Sequence, residues 1–350
     1  MDQRIYEDGG GRGEGVEAEA LLGDTTRVTK HSIFPRGAAL AVGVAVAVAA
    51  AVGGACGGAG GEHAAPRLLV VFNAGSLARP LKAALDSFAA RDGVQVQQES
   101  AGSLETARKI TELGKVPDII ALADEEVFPQ LLMPAHVTWY ARFARNRMVL
   151  AYTARSRHAA EISADNWWKI VTADGVETGR SDPQLDPNGY RTLLVLQLAE
   201  TLYRQPGLAA RLLRAMPDRN MRPKEADLVG MLQAGEFDYI WSYESIARAQ
   251  GLPFVQLPES IDLSSPADSA FYATASVKVH GKGADSVTFR GRPIVYAFAV
   301  PIQAPHREVA ERFAAYLVSA EGRRILRAQG LAVLDTAGMV GAGAPPGLIK

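Results

Sequence analysis

An apolar run that stops at Ala-Gly-Ser-Leu and gives way to a helical pattern occurs twice, at Ala74-Gly75-Ser76-Leu77 and at Ala101-Gly102-Ser103-Leu104. A strand that ends in a small-Gly-Ser turn and feeds a helix is a building block of α/β folds, and two in succession constrain the chain to that class. Such a turn leaves backbone N–H groups unpaired at a helix N-terminus and adds a hydroxyl donor. It also lets a ligand approach closely, because glycine has no side chain. Two such turns facing one crevice would form a charge-neutral cage of donors for an anion, built from Gly75, Ser76 and Ser103. Either serine alone reads equally well as a surface N-cap. The repetition in consecutive units is what favours a site.

The same rhythm continues downstream. Leu68 to Phe72, Val94 to Gln98 and Asp118 to Ala123 read as strands, with helices after Ser76 and Ser103, and Asp124-Glu125-Glu126 suits the first turn of a third. Trp139 to Thr153 reads as extended chain with a crossing between lobes near its end. Helices follow at Trp167, after Asp186-Pro187, over Leu208 to Met216 and over Lys224 to Gln233, and Phe237 to Trp241 reads as a strand leading to Ser242-Tyr243-Glu244. Strands at Ala273 to Val279 and Ile294 to Val300, then helices at His306 to Val318 and Glu321 to Gln329, read as a return to the first lobe. The expected organisation is a first lobe over 67–152, a second over 153–258, a return over 259–335 and a tail over 336–350. Its fold class is α/β, with two lobes and a ligand cleft between them. Trp139, Trp167, Trp168 and Trp241 are expected in packing.

The front of the chain is of another kind. Residues 1–37 combine an acidic, Gly-rich extension with a positive flank (Arg27, Lys30, Arg36), and 38–56 hold an unbroken apolar run ending in Gly53-Gly54-Ala55-Cys56. This looks like a bacterial lipoprotein signal with Cys56 as the lipidated residue, although Gly53 stands where a leucine is usual. Cleavage without lipidation and an uncleaved anchor stay open on the sequence. Residues 57–66 read as a tether. Cys56 is the only cysteine, so no disulfide within the chain is available.

The 37 basic residues nearly match the 38 acidic ones, which removes any general attraction to nucleic acid and makes an anion site a local matter. The six histidines are scattered without ligand spacing, and there is no phosphate-loop motif for ATP. Two acids stand at helix starts, Asp186 before Pro187-Asn188-Gly189 and Glu244 after Tyr243. Each reads singly as an N-cap or first-turn acid. If both face the cleft of the serine turns, they should repel a sulfate or phosphate. Two escapes exist: the oxyanion contains a metal that carboxylates can coordinate, as tungstate and molybdate do, or a carboxyl is protonated and donates a hydrogen bond.

Between Leu68 and Leu334 the chain resembles the tungstate- or molybdate-binding components of ABC importers, a branch of the type II extracytoplasmic solute-binding proteins. The resemblance rests on Phe72-Asn73-Ala74-Gly75-Ser76-Leu77, Ala101-Gly102-Ser103, Thr111 to Lys115, Phe143 to Asn146, Met148 to Thr153, Asp165-Asn166-Trp167, Asp186 to Arg191 and Tyr243-Glu244. It implies that Ser76 and Ser103 with nearby N–H groups hold the oxyanion, and that Asp186 and Glu244 complete coordination of its metal. Asn188, where the branch often carries cysteine, and Gly189 would contribute backbone.

The expectation is therefore a monomeric, membrane-tethered receptor outside the cytoplasm that delivers tungstate or molybdate to an importer permease and its ATPase, with no catalysis, no cofactor and no nucleic-acid partner. The alternatives are a receptor for ferric ion, using Tyr190 or Tyr243, or for another oxyanion, and an exported hydrolase with Asp186 and Glu244 as its acid pair.

Overall fold

The computed structural model describes residues 67–281 and 285–348; the signal-like segment, Cys56 and the expected tether lie outside the described residues. Strand β1 (Arg67–Ala74), helix α1 (Ala78–Asp92) and strand β2 (Val94–Ala101) form the first strand–helix–strand unit, and α2 (Ser103–Thr111) leads to β3 (Ile119–Leu122). The chain continues through β4 (Trp139–Arg145), β5 (Met148–Tyr152), α3 (Trp167–Ile170), β6 (Thr178–Ser181), α4 (Pro187–Leu202) and α5 (Leu208–Arg214). Next come β7 (Met221–Arg222), α6 (Glu225–Ala234), β8 (Tyr239–Tyr243), α7 (Glu244–Ala249) and β9 (Phe254–Gln256). The last part holds α8 (Ser269–Tyr272), β10 (Ser276–His280), β11 (Ser286–Arg290), β12 (Val295–Ala299), α9 (Arg307–Leu317), α10 (Ala320–Ala328) and β13 (Ala332–Gly341).

These strands make two main sheets, which define two lobes. The first has the order β13-β4-β12-β3-β1-β2 and the second β7-β6-β8-β5-β9; among the described residues β10 and β11 pair only with each other. β1 is parallel to β2 and β3, while β12 runs antiparallel to β3 and β4. The central strand β3 is buried along its whole length, as an Ile-Ile-Ala-Leu run flanked by strands on both sides should be. Phe88 of α1 and Phe313 of α9 meet edge to face at 5.2 Å. In the second lobe Trp167 and Trp241 do the same at 5.6 Å, so the tryptophans pack as expected.

Three expectations need correction. The crossing between lobes lies at Asn146-Arg147 rather than after Tyr152: β5 pairs with β8 and β9 of the second sheet. The extended run hides the crossing because the residues on both sides of it are largely buried. The return and tail boundaries also shift. The β10–β11 hairpin rests on the second lobe, with Phe289 stacked on Tyr190 at 4.6 Å and Ser276 hydrogen-bonded to Gln197 of α4, so the return begins at β12. β13 extends to Gly341 beside β4, and Leu348 is buried, so the segment expected as a tail belongs to the first lobe. Finally, Asp124 does not open a long helix. A five-residue π turn, Phe128–Leu132, follows it, and Pro129, which lacks an N–H, limits any extension.

Candidate functional site

The two serine turns lie side by side because β1 and β2 pair in register, Ala74 opposite Ala101, so both tetrapeptides leave the sheet at the same level. Asn73 braces the first turn from below, donating to the Ala74 carbonyl at 2.7 Å and to Ser100 Oγ at 2.9 Å and accepting from Gln98 Nε2 at 2.9 Å. Ser76 Oγ accepts from the Tyr296 hydroxyl at 3.0 Å, and that hydroxyl accepts from Asn146 Nδ2 at 2.9 Å. The chain of bonds ties the turn to the residue at which the lobes join. Ser103 Oγ accepts from the Ala123 N–H at 3.0 Å. Both serines are buried.

Asp186 reaches this corner from the other lobe. Its Oδ1 accepts from the Asn188 N–H at 3.1 Å and its Oδ2 from the Glu225 N–H at 3.0 Å, so one carboxylate caps both α4 and α6. The preceding residue touches the second serine turn: the Glu105 N–H lies 3.3 Å from the Leu185 carbonyl oxygen, and a Cβ placed on Gly102 would sit 2.1 Å from that oxygen. Gly102 thus makes room for the opposite lobe rather than for a ligand. Gly189 is likewise a packing glycine, since a Cβ there would come within 2.5 Å of the Ser181 carbonyl oxygen. The Asn188 side chain accepts from Ser181 Oγ at 3.0 Å, and its buried Nδ2 has no partner among the described residues.

The second acid of the cluster is Glu225, which the sequence reading passed over, and not Glu244. Glu225 opens α6, and its Oε1 accepts from Ser242 Oγ and from the Tyr243 N–H, both at 2.6 Å. Its Oε2 is buried without a partner among the described residues. Helix α6 packs against the first serine turn, and Ala226, next to Glu225, lines the same cavity as Ser76. Glu244 turns the other way: Arg147 Nε lies 2.9 Å and Arg248 Nη2 2.6 Å from its carboxylate, in a cavity of about 530 Å³ behind the hinge. The helix starts of α6 and α7 look alike in sequence, each an acid in a first turn. Only the packing of α6 on the Ser76 turn distinguishes them.

Burial pushes the Asp186 carboxyl up to about 6, against the pull of two backbone N–H donors and the Arg191 charge. Burial, with Asp186 as a neighbour, also drives Glu225 well above the ordinary carboxyl range. The nearby cation is Arg191, 2% exposed, which donates to the Ala123 carbonyl at 2.8 Å and to the Tyr243 hydroxyl at 2.7 Å and lies 3.1 Å from Asp124. Tyr190 donates to the same Asp124. Both phenols named for a ferric site are therefore committed to other partners, and burial raises the pKa of each well above its usual value, which opposes phenolate formation. Beside Ser76 a cavity of about 170 Å³ opens, lined by Gly75, Arg79, Ala226, Ser245 and Ile246 among others.

A two-lobed α/β chain with donor turns on one lobe and capped carboxyls on the other has the build of a solute-binding receptor. Residues 69–332 match the model for the bacterial extracellular solute-binding proteins, and the chain belongs to that family, whose members are receptors outside the cytoplasm. Among its relatives, a solute-binding protein of Petrotoga mobilis is 43% identical over 264 residues, covering 75% of this chain and 82% of that one. The molybdate/tungstate-binding protein WtpA of Pyrococcus abyssi is 35% identical, covering 74% and 82%, and that of Thermococcus kodakarensis is 32% identical, covering 73% and 79%. Two solved structures share the fold. The sulfate-binding protein SubI from Mycobacterium tuberculosis matches with TM-score 0.56 at 15% identity over 77% of this chain and 88% of its own. The periplasmic molybdate-binding protein of Azotobacter vinelandii matches with TM-score 0.54 at 19% identity over 76% and 100%.

Proposed function

We propose that this protein captures tungstate or molybdate outside the cytoplasm and hands it to an ABC importer, with the oxyanion held between the serine turns and the Asp186–Glu225 pair. The observation that carries this reading is the meeting, at one buried corner, of neutral donors from one lobe with two carboxyls from the other. A tetrahedral oxyanion that only accepts hydrogen bonds gains from Ser76, Ser103 and the N–H groups behind them but is repelled by ionised Asp186 and Glu225. A metal-centred oxyanion uses both halves: oxo atoms take the donors, and the metal takes carboxylate oxygen. The Asn188 N–H supports the Asp186 carboxylate, and the Gly189 N–H donates to the Asp186 main-chain carbonyl. The relatives named for molybdate and tungstate agree with this chemistry.

Binding would draw the lobes together and replace water with fixed donors, and a permease would sense the closed form. Delivery to a permease with its ATPase, a monomeric state and anchoring through a lipid on Cys56 complete the proposal. Titration calorimetry on the purified protein tests it. Tungstate and molybdate are expected to bind at least about 100-fold more tightly than sulfate, a difference of roughly 3 kcal/mol. Equal affinity for sulfate would overturn the metal-centred reading.

A further inference from the structure

The two helices that begin at the serine turns each carry an arginine that reaches across to the other lobe. Arg79, near the start of α1, donates from Nη1 to the carbonyl oxygen of Ala249 at 2.8 Å. Ala249 is the last residue of α7, whose final carbonyls have no partner within the helix, so the guanidinium meets both an open acceptor and the negative end of the helix. Arg108 of α2 donates from Nη1 to the Gln184 carbonyl at 2.6 Å and from Nη2 to the His280 carbonyl. Gln184 in turn accepts from the His280 N–H at 2.8 Å through its side chain, so this arginine grips both the loop before Asp186 and the hairpin resting on α4.

Each guanidinium is also held by its own lobe. Arg79 Nε donates to Gln329 Oε1 at 3.1 Å, and Arg108 Nε lies 3.9 Å from Oε1 of Glu112, the residue just past the end of α2. Nε thus stays home in both cases while the terminal nitrogens cross the cleft. The acceptors across the cleft are backbone carbonyls, fixed by the fold of the second lobe. Neither arginine was singled out by the sequence, because a carbonyl acceptor leaves no mark in a side-chain pattern.

From this paired geometry we infer that Arg79 and Arg108 are positioning residues for oxyanion capture, latches that hold the closed lobes together and so set how long the ligand stays. The inference rests on the receptor reading above. Arg108 fixes the spacing between Ser103, on its own helix, and Asp186, two residues beyond its acceptor. Arg79 fixes the Ser76 turn against the helix that carries Ser245. Neither needs to touch the ligand: opening the cleft breaks their cross-lobe bonds, so they act on escape more than on entry.

The test is the dissociation rate of tungstate from the full-length protein, measured by chase with excess molybdate, in wild type, Arg79→Gln, Arg108→Gln and the double variant, alongside urea unfolding of each without ligand. Dissociation is expected to quicken about tenfold in each single variant and more in the double, with association changed less than threefold and urea midpoints near wild type. Arg79→Lys and Arg108→Lys, which keep one donor, should recover part of the residence time. Dissociation rates equal to wild type in the double variant would overturn the latch while leaving the receptor reading intact. If a variant loses its fold, Arg79→Met and Arg108→Met, which keep the stem without a donor, decide: residence times that match wild type in both would likewise overturn it. Wild-type protein that does not bind tungstate would overturn the receptor reading itself, and the latch with it.

Discussion

Asp186 stands where two helices start, and its capping bonds and its burial pull its titration in opposite directions. Burial wins, since the carboxyl titrates at about 6 instead of 3.8. A carboxyl that is harder to ionise folded than unfolded favours the folded chain while protonated, so that contribution is complete below about pH 4 and lost as pH rises through 6, an effect of roughly 2–3 kcal/mol. Asp262 at the hinge, also pushed up to about 6 by burial, adds in the same direction. Urea unfolding without ligand should therefore show wild type losing stability relative to Asp186→Asn between pH 4.5 and pH 7; a difference independent of pH would contradict the assignment. The acid pair makes a second prediction. Glu225→Gln should weaken tungstate binding by at least about tenfold, whereas Glu244→Gln, whose carboxylate is paired to Arg147 and Arg248, should stay within about threefold. Calorimetry on the two variants checks this, and the reverse order would restore Glu244 to the site. Asp186 was legible because Asp-Pro at a helix start is a strong local signal. Glu225 was not, since an acid in a first turn is equally explained by the helix dipole until α6 is seen packed against the Ser76 turn.

The strand–turn–helix pairs were the most readable elements, because apolar runs, Gly-Ser turns and helical spacing are all local. Their consequence was less readable: the serine turns are neighbours only because β1 and β2 pair Ala74 with Ala101. Elements decided by distant partners were missed or misplaced. β11 has alternate exposed positions and gains its role by pairing with β10, and Phe289 covers Tyr190, about a hundred residues earlier in the chain. β13, with Thr336, Ala337 and Gly338 in its span, has little strand character of its own and forms against β4. The contact between α2 and the loop before α4 yields a prediction. An alanine at position 102 would press on the Leu185 carbonyl of the opposite lobe, and the strain can be relieved by parting the lobes. Gly102→Ala should lower tungstate affinity at least about tenfold while leaving the unfolding free energy without ligand, read from urea titration, within about 0.5 kcal/mol of wild type. Unchanged affinity would show that the lobes do not close onto this contact.

Considered whole, the molecule is two sheets joined at Asn146-Arg147 and again before β12, with hydrogen bonds concentrated where they cross. Asn146 links Ser245 of one lobe with Tyr296 of the other, and Tyr296 passes the connection to Ser76, so the joint and the site share one network. Buried Arg191 joins them again, reaching from α4 to Asp124 and the Ala123 carbonyl just behind Ser103. The two-lobed architecture was readable from the alternation of strands and helices, while the position of the joint was not, because buried strands lie on both sides of it. What the architecture makes possible is a ligand held from both lobes at once, by neutral donors on one side and by Asp186 and Glu225 on the other. A crystal of the protein grown with tungstate, with anomalous scattering used to place the tungsten, examines that arrangement. The expected result is a single peak between the serine turns, within about 2.5 Å of a carboxylate oxygen from each of Asp186 and Glu225, a coordination distance rather than a hydrogen bond. Tungsten more than about 3.5 Å from both carboxylates, or seated beside Glu244, would contradict it.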